Sequence, residues 1–188
     1  MSKDRAKKIK LLLLDVDGVM TDGKLFLIPV PGSGETTIEV KGFHAHDGTS
    51  FSLARFGGLK TGLITKRVSE TVRLRARDLK IEYVSQGADD KLTAFREILQ
   101  KAHLKPEEAA FVGDDIIDLP VMRNCGLAFA VANAREDVKD EAHVITDHRG
   151  GEGAVRDAVE YILKAQGSLA RCVEAYISGR TPPGDKHQ

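Results

Sequence analysis

Short apolar runs alternate with longer amphipathic segments along most of this chain, and few kinds of fold accommodate such a pattern. The first run, 9–14, contains four consecutive leucines, which is typical of a strand buried on both faces. The segment 91–103 instead places Leu92, Phe95 and Ile98 on one face, as an amphipathic helix does. The alternation predicts an α/β fold built on a doubly wound parallel sheet.

The predicted elements fill one domain. Strands are expected at 9–14, 59–64, 81–84, 109–112, 127–131 and 143–145, and helices at 49–56, 69–79, 91–103, 116–123, 135–140 and 154–165. Right-handed crossovers would arrange them in a Rossmann-like order. We expect residues 1–8 to form a solvated basic tail, residues 9–166 a single domain, and residues 167–188 a flexible tail.

Two short strand-like runs, 24–28 and 36–40, interrupt the alternation before the second sheet strand. Prolines and glycines separate them, so the pair is predicted to form a small β-hairpin insertion, near 24–40, with an irregular turn. The hairpin and one helix fill the interval, which leaves no room for a cap domain. The apolar hairpin residues would pack either on the parent sheet or on another subunit, and both readings remain open.

Composition excludes several classes of protein. The chain has 188 residues with 28 basic and 28 acidic side chains, no tryptophan and 5% aromatic residues. Proteins that bind nucleic acids usually have an excess of basic residues or aromatic side chains that stack on bases, so this balance argues against a nucleic-acid partner. Cys125 and Cys172 have no partner motif, so a disulfide framework and a zinc site are excluded and a reducing, cytoplasmic location is expected. No export signal or membrane-spanning run is visible, and no membrane partner is expected.

Polar residues gather where predicted strands end or the following helices begin. They are Asp15, Asp17, Thr65, Lys91, Asp114, Asp115 and Asp118. Any one of these clusters alone is more often a turn or a helix cap than a site. In a parallel sheet, however, all of them would meet at one edge, where crowded carboxylates repel one another unless a cation neutralises them. A hard divalent ion, Mg²⁺ above all, fits oxygen ligands, and the lysine and hydroxyl beside it indicate a phosphate substrate.

These residues resemble a known family. DVDGV at 15–19, the threonine after the second buried strand, the downstream lysine and VGDDIID at 112–118 are similar to the motifs of the haloacid dehalogenase-like phosphohydrolases. The resemblance covers residues 9–165. Four segments further resemble the small capless subgroup of this family, whose members release phosphate from eight- and nine-carbon sugar-acid phosphates. They are DVDGVMTDG, HDG at 46–48, QGADDKL and GGEGAVRDAVEYIL. An eight-carbon sugar-acid phosphate of lipopolysaccharide precursor synthesis is the first expected substrate, and a nine-carbon acid is the alternative.

The resemblance implies a catalytic role for each acidic residue of the first motif. Asp15 would be the nucleophile that forms an aspartyl-phosphate, and Asp17 would be the general acid and then the general base. Mg²⁺ would be held by the Asp15 carboxylate, the Asp17 backbone carbonyl and Asp114.

Further roles follow from the same resemblance. Thr65 and Lys91 would bind the phosphoryl oxygens. Asp115 and Asp118 would lie behind them and orient Lys91 or metal-bound water. Together these residues would supply the chemistry of phosphate release from a monoester.

Contacts to the sugar acid are implied for a further set. It consists of His44, Ala45, His46, Asp47, Gly48, Arg67 and Arg75. Arginine suits a substrate carboxylate because its guanidinium forms two parallel hydrogen bonds. Arg67 and Arg75 are expected on one helix, facing the same side. His46, Ser52 and Lys66 depart from the subgroup's pattern, which leaves the identity of the sugar open.

The capless subgroup closes its site through a homotetramer, so the hairpin is expected to pack against neighbouring subunits. Two other classes of function fit part of the pattern. A receiver-like phospho-binding module also has acidic residues, a threonine and a lysine. Such a switch does not turn over a substrate, however, so it would not need Asp17 as a general acid. An inactive scaffold would have no need of Asp15, Asp17 and Lys91.

Overall fold

Six parallel strands form the main sheet of this computed structural model, which describes residues 2–32, 34 and 36–182. The strands of the chain are β1 Leu11–Leu14, β2 Phe26–Pro29, β3 Thr37–Val40, β4 Lys60–Thr65, β5 Tyr83–Gln86, β6 Ala109–Gly113, β7 Leu127–Ala130 and β8 Val144–Ile145. The sheet order is β5-β4-β1-β6-β7-β8, and every neighbouring pair is parallel. The predicted α/β class and parallel sheet are confirmed.

The helices are α1 Ser2–Ala6, α2 Ala45–Phe56, α3 Glu70–Asp78, α4 Lys91–Ala102, α5 Leu119–Met122, α6 Glu136–Glu141, α7 Ala154–Ala165 and α8 Leu169–Ile177. Two 3₁₀ turns cover Pro106–Glu108 and Ile116–Asp118. Helix α7 contacts α1, α2 and α8, and α5 contacts α4 and α6. The segment 116–123, predicted as one helix, is therefore a 3₁₀ turn followed by the short α5.

Strand β1 occupies the centre of the sheet, between β4 and β6. Leu11 lies opposite both Lys60 and Ala109, and all four β1 leucines are fully buried. Their lack of polar alternation follows from this position, since neighbouring strands and helices cover both faces. Phe51 of α2 and Phe95 of α4 belong to the same hydrophobic core.

Helix α2 begins four residues earlier than predicted, at Ala45 rather than residue 49. The buried Asp47 carboxylate accepts the backbone N–H of Arg156 at 2.9 Å, which joins the first turn of α2 to the first turn of α7. Gly48 lies under Arg75, whose Nη2 would be 2.7 Å from a Cβ at that position. The glycine that weakens the helical pattern in the sequence thus allows the close approach of another side chain.

Both ends of the chain are more ordered than predicted. Instead of a solvated tail, the N-terminal residues form α1, which buries Ala6 and is joined to α7 by a 2.8 Å hydrogen bond from Tyr161 to Ser2. The flexible tail predicted from residue 167 is also wrong where α8 forms, because Cys172 and Ala175, three residues apart, bury one face of that helix. The last six residues of that predicted tail, 183–188, lie outside the described residues.

Strands β2 and β3 form a separate two-stranded antiparallel sheet, in which Phe26 lies opposite Val40. Its apolar side chains are exposed on both faces, with Phe26 at 54% on one face and Leu27 at 54% on the other. Packing on the parent sheet, one of the two open readings, therefore does not occur within one chain. In the described residues between β1 and β4, only this hairpin and α2 form, so no cap domain interrupts that interval.

Within the described part of the chain, no helix combines the length and the apolarity that crossing a bilayer requires.

Candidate active site

The carboxyl ends of β1, β4 and β6 and the first residue of α4 enclose a cleft of about 310 Å³. It is lined by Asp15, Asp17, Gly23, Thr65, Lys66, Arg67, Lys91, Asp114, Asp115 and Ile117. The structure thus brings together the residues that the strand-end rule selected. A larger cleft of about 360 Å³ beside β8 contains none of the predicted site residues.

Asp15 follows β1 directly and is buried, with 3% of its surface exposed. Its Oδ1 accepts the backbone N–H of Val16 at 2.6 Å and lies 2.9 Å from Nζ of Lys91. These two contacts hold the carboxylate in one orientation at the floor of the cleft.

Lys91 is the first residue of α4, and Asp90 caps that helix by accepting the N–H of Leu92 at 3.0 Å. The buried Lys91 Nζ lies 2.8 Å from Oδ1 of Asp118 and 2.9 Å from Asp15. Burial alone would lower the pKa of this ammonium, but Asp118 and Asp15 together raise it above its ordinary value. Lys91 is therefore a fixed positive charge beside Asp15.

Asp114, Asp115 and Asp118 have different partners, although they lie in one motif. Asp118 is fully buried and accepts the backbone N–H groups of Asp114 at 3.0 Å and Asp115 at 3.3 Å, in addition to its contact with Lys91. The Asp115 side chain accepts the N–H of Ile116 at 2.8 Å and caps the 3₁₀ turn. Of the two residues predicted to orient Lys91, it is Asp118 that contacts it.

The turn after β1 depends on two close approaches by glycine. Gly18 has φ +92°, and a Cβ there would lie 2.1 Å from Oδ2 of Asp114. From the other side, a Cβ at Gly150 would lie 1.7 Å from the carbonyl oxygen of Gly18. Gly151 adds a 2.9 Å hydrogen bond from its N–H to the carbonyl of Val19. The loop before α7 therefore packs directly on the turn that follows Asp15.

Three carboxylates in the cleft could share a cation, because oxygens of Asp15, Asp114 and Asp118 lie within 4.8 Å of one another. Burial, followed by the charge of Asp118, raises the pKa of Asp15 to about 6. Burial, followed by Asp118 and Asp15, raises the pKa of Asp114 to about 7. Asp118 is fully buried and does not line the cleft, whereas Asp15 and Asp114 do, and hard oxygen ligands of this kind suit Mg²⁺.

Asp17 lies in the cleft but outside that group of carboxylates. Its Oδ1 forms an ion pair with the buried Lys41, and its Oδ2 lies 3.8 Å from Nε of Arg67. Sequence reasoning missed Lys41. The residue follows β3 by one position, and nothing in its spacing connects it with the motif at 15–19; only the end of a strand close to the cleft could have indicated it.

The β4–α3 turn supplies the remaining predicted phosphate ligand. Thr65 ends β4 and is buried, and its Oγ1 accepts the N–H of Arg67 at 3.4 Å. Lys66 and Arg67 also line the cleft, so two positively charged side chains lie in it together with Thr65.

The predicted sugar contacts separate into two groups. Arg67 lines the cleft, but it precedes α3, so the expectation that Arg67 and Arg75 share one helix was wrong. Arg75 instead pairs with Asp78 at 2.7 Å and lies over the ring of Phe43, 5.6 Å from its centroid. Residues 44–48 do not line the cleft either.

Within that second group, the histidines pack together. The rings of His44 and His46 meet edge to face at 4.8 Å, while Ala45 and His46 are exposed. A substrate role for residues 44–48 and for Arg75 stays a prediction, and in this structure it requires a neighbouring subunit or a long leaving group.

Comparison with known proteins gives consistent matches. A family model described as haloacid dehalogenase-like hydrolase matches residues 64–158. The 3-deoxy-D-manno-octulosonate 8-phosphate phosphatase KdsC of Salmonella typhi is 39% identical over 165 residues, which cover 88% of this chain and 85% of that protein.

Solved structures agree with the fold. The 3-deoxy-D-manno-octulosonate 8-phosphate phosphatase of Yersinia pestis is 38% identical, with a TM-score of 0.84 over 90% of this chain and 88% of that one. The enzyme of that name from Moraxella catarrhalis, solved with magnesium, phosphate and KDO, is 36% identical with a TM-score of 0.85 over 93% of this chain and 97% of that one.

Proposed function

Because this chain belongs to the haloacid dehalogenase-like hydrolases, we propose that it is a Mg²⁺-dependent phosphatase that releases phosphate from 3-deoxy-D-manno-octulosonate 8-phosphate. The observation that carries the proposal is the buried triad of Asp15, Lys91 and Asp118, joined by two ion pairs, beside Asp114 and Asp17 of the cleft. The relatives of that name, similar over most of the chain, support the eight-carbon substrate. A nine-carbon sugar-acid phosphate is the alternative.

In the proposed reaction, the Asp15 carboxylate attacks phosphorus and the bond from phosphorus to the sugar oxygen breaks. Asp17 gives its proton to the departing oxygen and later takes one from water, which attacks the phosphorus of the aspartyl-phosphate and restores Asp15. Lys91 offsets the charge between the phosphate and Asp15, and the Thr65 hydroxyl and backbone face the phosphoryl oxygens.

Asp15, Asp114 and the backbone carbonyl of Asp17 are the groups that would hold Mg²⁺. The raised pKa values of Asp15, which is buried, and Asp114, which is half-buried, fit this assignment, since the two carboxylates lack enough positive charge in the protein alone. Bound Mg²⁺ supplies the charge that allows a dianionic phosphate to enter an acidic cleft.

Steady-state phosphate release by the purified chain tests the substrate. With Mg²⁺ present, we expect kcat/KM to be highest for the eight-carbon sugar-acid phosphate, lower for the nine-carbon acid, and lowest for 4-nitrophenyl phosphate. Equal values for all three would contradict sugar-acid specificity. Phosphate bound once without turnover would support the receiver-like alternative instead.

Arg67 is the cleft arginine best placed for the substrate carboxylate. Arg67→Ala should lower kcat/KM for the sugar-acid phosphate about 10- to 100-fold, because a charge-assisted hydrogen bond contributes roughly 1.5–3 kcal/mol. The value for 4-nitrophenyl phosphate, which has no carboxylate, should fall much less. Arg73→Ala is the matched control, because Arg73 is exposed on α3 and pairs with Glu70. Equal losses on both substrates would contradict the assignment.

Assembly as a homotetramer is a further part of the proposal. The hairpin exposes Leu25, Phe26, Leu27, Ile28, Ile38 and Val40 on both faces. An isolated two-stranded hairpin with such side chains is marginally stable in water, so a second copy of the chain is the natural cover. A cytoplasmic location is likewise proposed, supported by two buried free cysteines.

Light scattering on size-exclusion fractions tests the assembly. The chain, 20.5 kDa on its own, should elute with the mass of four copies. Phe26→Glu combined with Ile38→Glu should yield smaller species and lower sugar-acid activity in parallel, because burying two carboxylates in an apolar interface is costly. Ile145→Glu, at an exposed position on β8, is the control. A native monomer that still prefers the sugar acid would refute the assembly.

A further inference from the structure

Lys41 is a buried cation that the chemistry described so far does not use. Only 1% of its side chain is exposed, yet it lies between β3 and α2, outside the sheet. Its Nζ forms an ion pair with Oδ1 of Asp17 and lies 3.6 Å from Oε1 of Glu39. Removing an ammonium from water is expensive unless carboxylates surround it, so these two partners determine where Lys41 sits.

Glu39 is itself held from the other side. Its Oε1 accepts the Ser69 hydroxyl at 2.5 Å, and its Oε2 lies 3.2 Å from Nη2 of Arg67. Ser69 also caps α3 by accepting the N–H of Val72. Through Glu39, the Lys41 ammonium is therefore linked to the β4–α3 turn, which directly follows a strand of the main sheet.

This network connects the hairpin with the catalytic turn. Glu39 belongs to β3 and Lys41 follows that strand, whereas Asp17 lies 24 residues earlier in the turn after β1. Since β2 and β3 form a sheet of their own, side-chain contacts of this kind link their position to the cleft.

Two buried lysines thus each hold one aspartate of the first motif, and of the two only Lys91 lines the cleft. Lys91 contacts Asp15, and Lys41 contacts Asp17. The contact of Lys41 with Oδ1 restrains rotation of the Asp17 carboxylate. With Oδ1 held by Lys41, Oδ2, which lies 3.8 Å from Nε of Arg67, is the oxygen left for proton transfer.

We propose that Lys41, braced by Glu39, is the positioning residue for Asp17, so that the hairpin controls proton transfer to the leaving group rather than phosphate binding. The inference rests on the proposed function, in which Asp17 protonates the sugar oxygen as its bond to phosphorus breaks. Lys41 acts through Asp17 rather than on the substrate, since it is not among the residues that line the cleft.

First-turnover rates with enzyme in excess over substrate separate the two roles. Lys41→Met keeps the length of the side chain and removes its charge. It should slow release of the sugar acid about 10- to 100-fold, which is less than the 10²–10⁴-fold that general acid catalysis contributes, because Asp17 itself is still present. Release of 4-nitrophenolate from its phosphate, a leaving group that needs no proton, should change less than about twofold. Lys24→Met is the control, because Lys24 forms an exposed ion pair with Asp22 in the same turn.

Two further variants keep the test decisive if Lys41→Met folds poorly. Lys41→Arg should recover part of the sugar-acid rate, and Glu39→Gln should show a smaller loss with the same dependence on leaving group. Binding of inorganic phosphate with Mg²⁺ should be unchanged in both. Equal losses on the two substrates, or no loss on either, would overturn the inference. A wild-type chain that hydrolyses neither substrate would instead refute the proposed function.

Discussion

Asp15→Asn should abolish phosphate release. The amide nitrogen and oxygen of asparagine occupy the space of the carboxylate but cannot attack phosphorus to form the aspartyl-phosphate. Loss of a covalent nucleophile costs at least about 10⁴-fold in kcat in well-studied hydrolases. The new side chain can still accept the N–H of Val16, so the turn after β1 should keep its shape.

The measurement is phosphate release above a blank without enzyme, on both the sugar-acid phosphate and 4-nitrophenyl phosphate. Asp22→Asn is the matched control, because Asp22 lies in the same turn and pairs with Lys24 outside the carboxylate cluster. Its activity should remain within about twofold of the native value, as for surface changes in general. Substantial turnover by Asp15→Asn on either substrate would exclude Asp15 as the nucleophile.

Removing divalent cations should stop turnover just as completely. Asp15, Asp114 and Asp118 converge within 4.8 Å, and a single lysine ammonium, that of Lys91, lies among them. A dianionic phosphate approaching such a cluster would be repelled unless a cation were bound. Chelation followed by addition of Mg²⁺ should therefore abolish and then restore phosphate release.

Asp114→Asn separates loss of the cation from loss of the fold. The change should raise the Mg²⁺ concentration needed for half-maximal activity at least about tenfold, as loss of groups around a metal does. Asp115→Asn is the comparison, because its side chain caps the 3₁₀ turn and contacts Ile116. Full activity after exhaustive chelation would count against the whole assignment of the cleft.

The main parts of this cleft could be found in the sequence because parallel sheets place the carboxyl ends of their strands together. Asp15, Thr65 and Asp114 each follow a run of buried residues, and such runs are visible without a structure. The amphipathic pattern of 91–103 gave Lys91 as the start of α4. These residues are far apart along the chain, but all of them lie at or beyond the carboxyl ends of parallel strands, where ligands bind in folds of this class.

The rule on strand ends does not predict where the side chains of Lys41 and Arg75 lie. Lys41 reaches Asp17 through the placement of a hairpin outside the sheet, which no strand-end rule describes. Arg75 was implied by the family resemblance and was expected to share a helical face with Arg67, but α3 begins at Glu70, so the two arginines do not share one. The predicted helix, 69–79, matches α3 to within one residue at each end, so the error was to apply helical spacing to Arg67, which precedes it.

Helix α8 was missed for a different reason. Gly167 and the polar residues at the end of the chain suggested a tail, although Cys172 and Ala175 have the spacing of a buried helical face. A helix of nine residues is marginal alone and gains its stability from packing against α2 and α7. Local signals are too weak to predict such an element.

The contact between Gly150 and Gly18 has a consequence for the order in which the molecule is made. The turn after β1 leaves the ribosome early, but the loop that closes it is synthesised more than a hundred residues later. At about 5–20 residues per second, roughly ten seconds of translation separate the two glycines. Strand β1 also waits for β4 and β6, its two neighbours. A nascent chain should thus acquire hydrolytic activity in one late step, when α7 has emerged, rather than gradually as it lengthens.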